Sequence, residues 1–146
     1  MSLSVLIVED DPLDQILFEE TLKQLAIPAE IRIVGCGEEA QAYLQREGRF
    51  ADEATYPLPK VIFLDIKMPK VNGFELLEWL KHTGSLKRIP VVMVSSSPIQ
   101  RDIDRAYELG ASAYVVKPVR NEELQKLFRA TGEFFLEYAA KPSAAA

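Results

Sequence analysis

The sequence predicts a doubly wound α/β sandwich, a parallel five-stranded sheet with helices on both faces. Two observations carry this expectation. Five short runs rich in Val and Ile, at residues 4–8, 31–34, 61–64, 91–94 and 113–116, are near-continuously apolar, the pattern of strands covered on both faces. Between them lie segments with helical spacing, so strand and helix alternate along the whole chain. A crossover between parallel strands is right-handed in nearly all folds, which leaves the doubly wound sheet as the leading architecture.

The elements follow in order. A first helix is expected from Pro12, with Asp11 as N-cap and a proline where a missing N–H costs nothing. Its apolar side is read as Ile16, Phe18, Leu22 and Leu25. A second helix over 38–47 stops at Gly48, and a third over 73–82 follows Asn72 and stops at Gly84. The fourth starts near Pro98 and stops at Gly110, glycine being a common terminator. A fifth helix spans about 121–140. The connection over 48–59 is longer than such units need. Residues 1–140 therefore read as one domain, with 141–146 as a disordered tail.

Composition narrows the function. A length of 146 residues, 48% of them hydrophobic, suits one globular domain. A net charge of −5 argues against a nucleic-acid partner, because such affinity comes from clustered Lys and Arg. The lone Cys36 can form no internal disulfide, fits a reducing compartment and reads as a small buried apolar residue. No run approaches the roughly 18 apolar residues of a membrane span, and the start shows no signal-peptide pattern, so a cytoplasmic protein without a membrane partner is expected.

In doubly wound sheets, ligands bind beyond the carboxyl ends of the strands, where the strand order reverses. Those ends carry Glu9, Asp10 and Asp11 on the first strand, Asp65 on the third, Ser95, Ser96 and Ser97 on the fourth, and Lys117 on the fifth. Alone, each has a bland reading: Asp11 as a helix cap, the serines as a turn, Lys117 as a surface lysine. Together they place carboxylates, hydroxyls and a cation on one rim. Gathered carboxylates repel one another, and Mg²⁺, which prefers oxygen ligands and keeps positions for phosphate, relieves that. A carboxylate beside such an ion can act as nucleophile in phosphoryl transfer, with a cation to neutralise the transferring oxygens. Asp65 and Lys117 are the candidates for these two roles.

The segments LIVEDDP, VIFLDIKMPKVNGFELL, PVVMVSSS and GASAYVVKPV together resemble the receiver domains of two-component response regulators, over about residues 6–128. The resemblance implies a flavodoxin-like strand order of 2-1-3-4-5 with five helices in a three-layer sandwich. It implies Asp65 as phosphoacceptor, and Mg²⁺ held by Asp10, Asp65 and the backbone carbonyl of Lys67, with Glu9 acting through a metal-bound water. It further implies Ser95 and Lys117 as phosphoryl-binding residues, Ser95 and Tyr114 as the conformational switch, a cis peptide between Lys117 and Pro118, and a histidine kinase as phosphodonor. Gly73 occupies the family's glycine position after the phosphoacceptor loop.

The long 48–59 connection and the extended last helix look like the small response regulators that partner bacterial phytochromes, which makes a phytochrome-type photoreceptor kinase the candidate partner. Along that helix Leu124, Leu127 and Phe128 suit the core, whereas Phe134, Phe135 and Tyr138 extend the apolar stripe beyond it. They are expected to build a homodimer; folding back onto the same domain is the alternative. His82 reads as a solvated or helix-terminal residue, and Trp79 as either a partner-facing anchor or a half-buried helix residue. The expected function is a stand-alone phosphorylation switch rather than an enzyme. The alternative is a Mg²⁺-dependent phosphohydrolase using an aspartyl phosphate; against it, Lys67 stands where the best-known class of such enzymes carries a second acid.

Overall fold

The computed structural model describes residues 3–24, 29–117 and 122. Five strands, β1 (Leu3–Val8), β2 (Ala29–Val34), β3 (Val61–Asp65), β4 (Val91–Ser95) and β5 (Ala113–Val116), alternate with four helices, α1 (Pro12–Lys23), α2 (Gly37–Leu44), α3 (Gly73–Lys81) and α4 (Gln100–Glu108). The sheet order is β2-β1-β3-β4-β5, with every pairing parallel. The fold class and strand order expected from the sequence are those observed. The fifth helix, the last-helix aromatics and the Lys117–Pro118 bond lie outside the described residues.

Side chains alternate across the sheet with the period of a strand, and the core divides accordingly. Leu6, Val8, Ile62, Leu64, Met93 and Tyr114 face one way, onto Leu76, Leu77 and Leu80 of α3 and Ile103 of α4. Val5, Ile7, Val61, Phe63, Val92 and Val94 face the other, onto Leu22 and Phe18 of α1. Because both faces are covered, the inner strands are apolar at nearly every position, whereas the edge strand β2 carries Glu30 and Arg32.

Helix boundaries follow local chemistry. Asp11 caps α1 by accepting from the N–H groups of Leu13 and Asp14, as its sequence position suggests. The inward side of α1 differs from expectation. Phe18 meets Phe63 edge to face at 4.9 Å and Leu22 is buried, but Ile16 is 58% exposed. Residues two apart on a helix point to nearly opposite sides, so Ile16 and Phe18 cannot share one core. Leu25 lies outside the described residues.

The second helix ends at Leu44, short of the expected 47. Arg46 adopts φ 59°, and the Glu47 N–H reaches back to the Ala42 carbonyl at 2.9 Å, the backbone pattern of a helix closed by a left-handed residue. The glycine expected to end it, Gly48, instead opens a 3₁₀ turn over Gly48–Ala51. This turn folds the long connection onto α2: Phe50 and Tyr56 pack on Tyr43, whose hydroxyl donates to the Pro57 carbonyl at 2.8 Å. Cys36, at the N-cap of α2, is half-buried rather than fully buried.

Asn72 and Glu75 form a reciprocal capping box at the start of α3. Asn72→Ala is expected to lower stability by about 1 kcal/mol, read as a shift in the urea midpoint at unchanged slope. The helix closes on His82, its C-cap, and Gly84 begins a second 3₁₀ turn over Gly84–Arg88. Trp79 is partly buried against the core. The fourth helix starts at Gln100, two residues after Pro98, because the Ser97 hydroxyl intervenes: it accepts from the Ile99 N–H at 3.3 Å and donates to Asp102 Oδ2 at 2.7 Å. Among the described residues no helix is long and apolar enough to cross a membrane.

Candidate functional site

The sheet order reverses between β1 and β3, which are direct neighbours with Val8 opposite Leu64. One position further, the chain delivers Glu9 beside Asp65. Ser95 ends β4, and Lys117 follows β5, its N–H bonded to the Ser95 carbonyl at 2.7 Å. The topology thus brings to one rim side chains that lie up to 108 residues apart in sequence.

There Glu9, Asp10 and Asp65 each offer a carboxylate oxygen, all within 4.8 Å of one another. Among the described residues the charge balancing them is Lys117, whose Nζ stands 2.6 Å from Glu9 Oε1, 3.0 Å from Asp14 Oδ2 and 3.7 Å from Asp65 Oδ1. Glu9 and Asp65 are buried, whereas Asp10 is exposed. Burial raises the Glu9 carboxyl from its ordinary 4.5 to about 7, against the opposing bonds from Lys117 and the Asp11 N–H. Asp65 is raised as well, chiefly by burial, with the Lys117 charge working against it and Asp10 adding repulsion. Burial draws Lys117 down, but its bonds to Glu9 and Asp14 and the charge of Asp65 outweigh this and hold the ammonium protonated. A lysine shared among carboxylates gains more than any one of them does.

The raised Glu9 has a consequence for stability. Its folded value lies above its unfolded one, so its contribution is fully present below pH 4.5 and is lost as pH rises through about 7. Metal-free protein is expected to lose on the order of 3 kcal/mol across that window, measured by urea unfolding in chelator. A divalent cation, which favours the ionised carboxylates, should flatten the profile.

The remaining residues form a second layer. Ser95 is buried, and its hydroxyl accepts from the Ser97 N–H at 3.1 Å. Tyr114 is fully buried beneath it, its hydroxyl donating to the Ser97 carbonyl at 2.9 Å. Tyr114, the expected switch residue, thus takes a buried position. Lys67 lies two residues past Asp65 with an exposed side chain, and its N–H bonds the Asp65 carboxylate. Asp11 is occupied with helix capping. The residue that sequence reasoning missed is Asp14: an acid in the first turn of a helix reads as a partner for the helix dipole, but the start of α1 lies at the same rim and its carboxylate reaches Lys117 Nζ at 3.0 Å.

The family model for the response regulator receiver domain matches residues 5–129. The chain belongs to the response regulator receiver family. This receiver is 36% identical over 140 residues to the response regulator Rcp1 of Synechocystis, across 96% of this chain and 93% of Rcp1. It is similar to the crystal structure of the phosphorylated cyanobacterial phytochrome response regulator RcpA, with 36% identity, a TM-score of 0.78, and coverage of 98% of this chain and 100% of that one. The crystal structure of the Mn²⁺-bound form of Rcp1 matches at 35% identity and a TM-score of 0.74, over 96% and 99% of the two chains. The likeness is to the phytochrome-associated subgroup.

Receivers of this family signal through phosphorylation, take their phosphoryl group from histidine kinases, and bind a divalent metal. The donor set here fits such an ion. Clustered carboxylate oxygens, two of them buried and raised above their ordinary values, are the ligands a hard divalent cation selects.

Proposed function

We propose that this receiver accepts a phosphoryl group from a histidine kinase on Asp65, in a Mg²⁺-dependent reaction, and signals by altered protein–protein interaction. The observation that carries the reading is the convergence of Glu9, Asp10 and Asp65 within 4.8 Å beside the Lys117 ammonium. In the reaction, a carboxylate oxygen of Asp65 bonds to phosphorus as the bond from phosphorus to the donor histidine nitrogen breaks and its electron pair returns to the imidazole. Asp10, Asp65 and the Lys67 carbonyl would hold Mg²⁺, with Glu9 reaching it through water. The ion, when bound, neutralises charge on the carboxylates and on the transferring oxygens. Lys117 donates to one phosphoryl oxygen and Ser95 to another.

Ser95 also connects the site to the surface. Drawing its hydroxyl toward the phosphoryl group withdraws the acceptor of the Ser97 N–H and loosens the loop whose carbonyl holds Tyr114. Tyr114 and the start of α4 then change position, and with them the partner surface. Likeness to Rcp1 and to the phytochrome response regulator RcpA supports a phytochrome-type photoreceptor kinase as the donor. The apolar stripe that Phe134, Phe135 and Tyr138 form in the sequence supports a homodimer; a monomer in sedimentation at micromolar concentration, unaltered by Phe134→Asp with Phe135→Asp, would remove that part.

The test is labelling with acetyl phosphate and Mg²⁺, followed by intact-mass measurement. One phosphoryl group per chain is expected, and chelation of the metal should reduce its rate at least about tenfold, the scale of electrostatic stabilisation in phosphoryl transfer. Continuous release of phosphate from many small phosphoesters, without a stoichiometric label, would favour the phosphohydrolase instead.

A further inference from the structure

The ion pair between Lys117 and Asp14 is not needed by the chemistry above. An ammonium has three N–H donors. Lys117 directs its shorter contacts to Glu9 Oε1 at 2.6 Å and Asp14 Oδ2 at 3.0 Å, leaving the Asp65 carboxylate at 3.7 Å. Glu9 belongs to the carboxylate cluster that suits a cation, but Asp14 does not. Neutralising the cluster therefore weakens the hold of Glu9 on Lys117 and leaves that of Asp14 intact. Asp14 is also firmly based: it stands in the first turn of α1, and its N–H is held by the Asp11 cap at 3.4 Å. A phosphoryl group on Asp65 must draw the ammonium at least partly away from it.

We propose that Asp14 is a positioning residue that competes with the phosphoryl group for Lys117 and so sets the rate at which Asp65 is phosphorylated. The proposal rests on the phosphoacceptor reading of Asp65. Its alternative is a purely structural role, an acid complementing the positive end of α1, which would affect stability and leave the reaction unchanged.

The test compares wild type, Asp14→Asn and Asp14→Glu for labelling rate with acetyl phosphate at saturating Mg²⁺, for Mg²⁺ affinity by calorimetry, and for thermal unfolding. Asp14→Asn is expected to label about three- to fivefold faster, the size of one partly exposed ion pair, with Mg²⁺ affinity changed by less than about twofold. Asp14→Glu, which restores the charge on a longer arm, should return toward the wild-type rate. Equal or slower labelling of a folded Asp14→Asn protein overturns the proposal, as does a change in Mg²⁺ affinity as large as the change in rate, which would make the effect a general field on the metal site. Should wild type itself take no label, the phosphoacceptor reading fails and the proposal with it, so the two failures are distinguishable.

Discussion

Gly73→Ala is expected to cripple the site without touching any of its charged groups. A Cβ at Gly73 would fall inside contact distance of the Asp65 carbonyl oxygen and within 2.7 Å of Ile66 Cα, while the Gly73 N–H is bonded to the Ile66 carbonyl at 2.8 Å. The obstacle is the Asp65–Ile66 backbone rather than a side chain, so relief requires moving the strand end that carries Asp65. Overpacking of this kind costs about 1–3 kcal/mol where side chains can yield and more where they cannot, so a loss of about 3 kcal/mol is expected. Because misplacement of a reacting group by about 1 Å can cost about a hundredfold, labelling at Asp65 should slow by at least about tenfold. Urea unfolding and the acetyl phosphate labelling rate read the two effects separately.

Lys117→Met is the second large effect, and its signature is a dependence on pH. The substitution keeps much of the aliphatic stem but leaves Glu9, Asp10 and Asp65 without the ammonium that balances them. Removing one partner of a buried pair costs about 3–5 kcal/mol, and with Lys117 20% exposed about 2–3 kcal/mol is expected in metal-free protein at pH 8. The penalty should shrink as pH falls toward about 7: the Lys117 bond lowers the Glu9 carboxyl in wild type, so without it Glu9 takes up its proton at higher pH and no longer needs a counter-charge. A divalent cation should recover much of the loss at pH 8, whereas phosphorylation should stay slow because no ammonium reaches the transferring oxygens. Chemical denaturation at pH 5 and pH 8, with chelator and with Mg²⁺, separates these contributions.

Much of this molecule is legible in its sequence for a physical reason. Strands covered on both faces are near-continuously apolar, which makes the runs around Leu6, Phe63 and Met93 visible. Parallel topology then delivers their carboxyl ends to one rim, so Glu9, Asp65, Ser95 and Lys117 could be grouped before any distance was known. What stayed hidden was set by geometry finer than residue type. The end of α2 depends on Arg46 adopting a left-handed backbone, which arginine does not advertise as glycine does. Ile16 looked like core because it is apolar, but it is turned away from Phe18 by its place on the helix. Asp14 was concealed by an ordinary reading of acids at helix starts, and only the 3.0 Å contact to Lys117 distinguishes it.

The proposed function requires Asp65 to hold phosphorus covalently. Borohydride reduction of acetyl-phosphate-treated protein converts an aspartyl phosphate to homoserine, and peptide mass spectrometry then locates the altered residue. Conversion at Asp65, absent from Asp65→Asn and from chelator-treated protein, is the expected result. Conversion at another residue, or a phosphoryl label undiminished in Asp65→Asn, would contradict Asp65 as the phosphoacceptor.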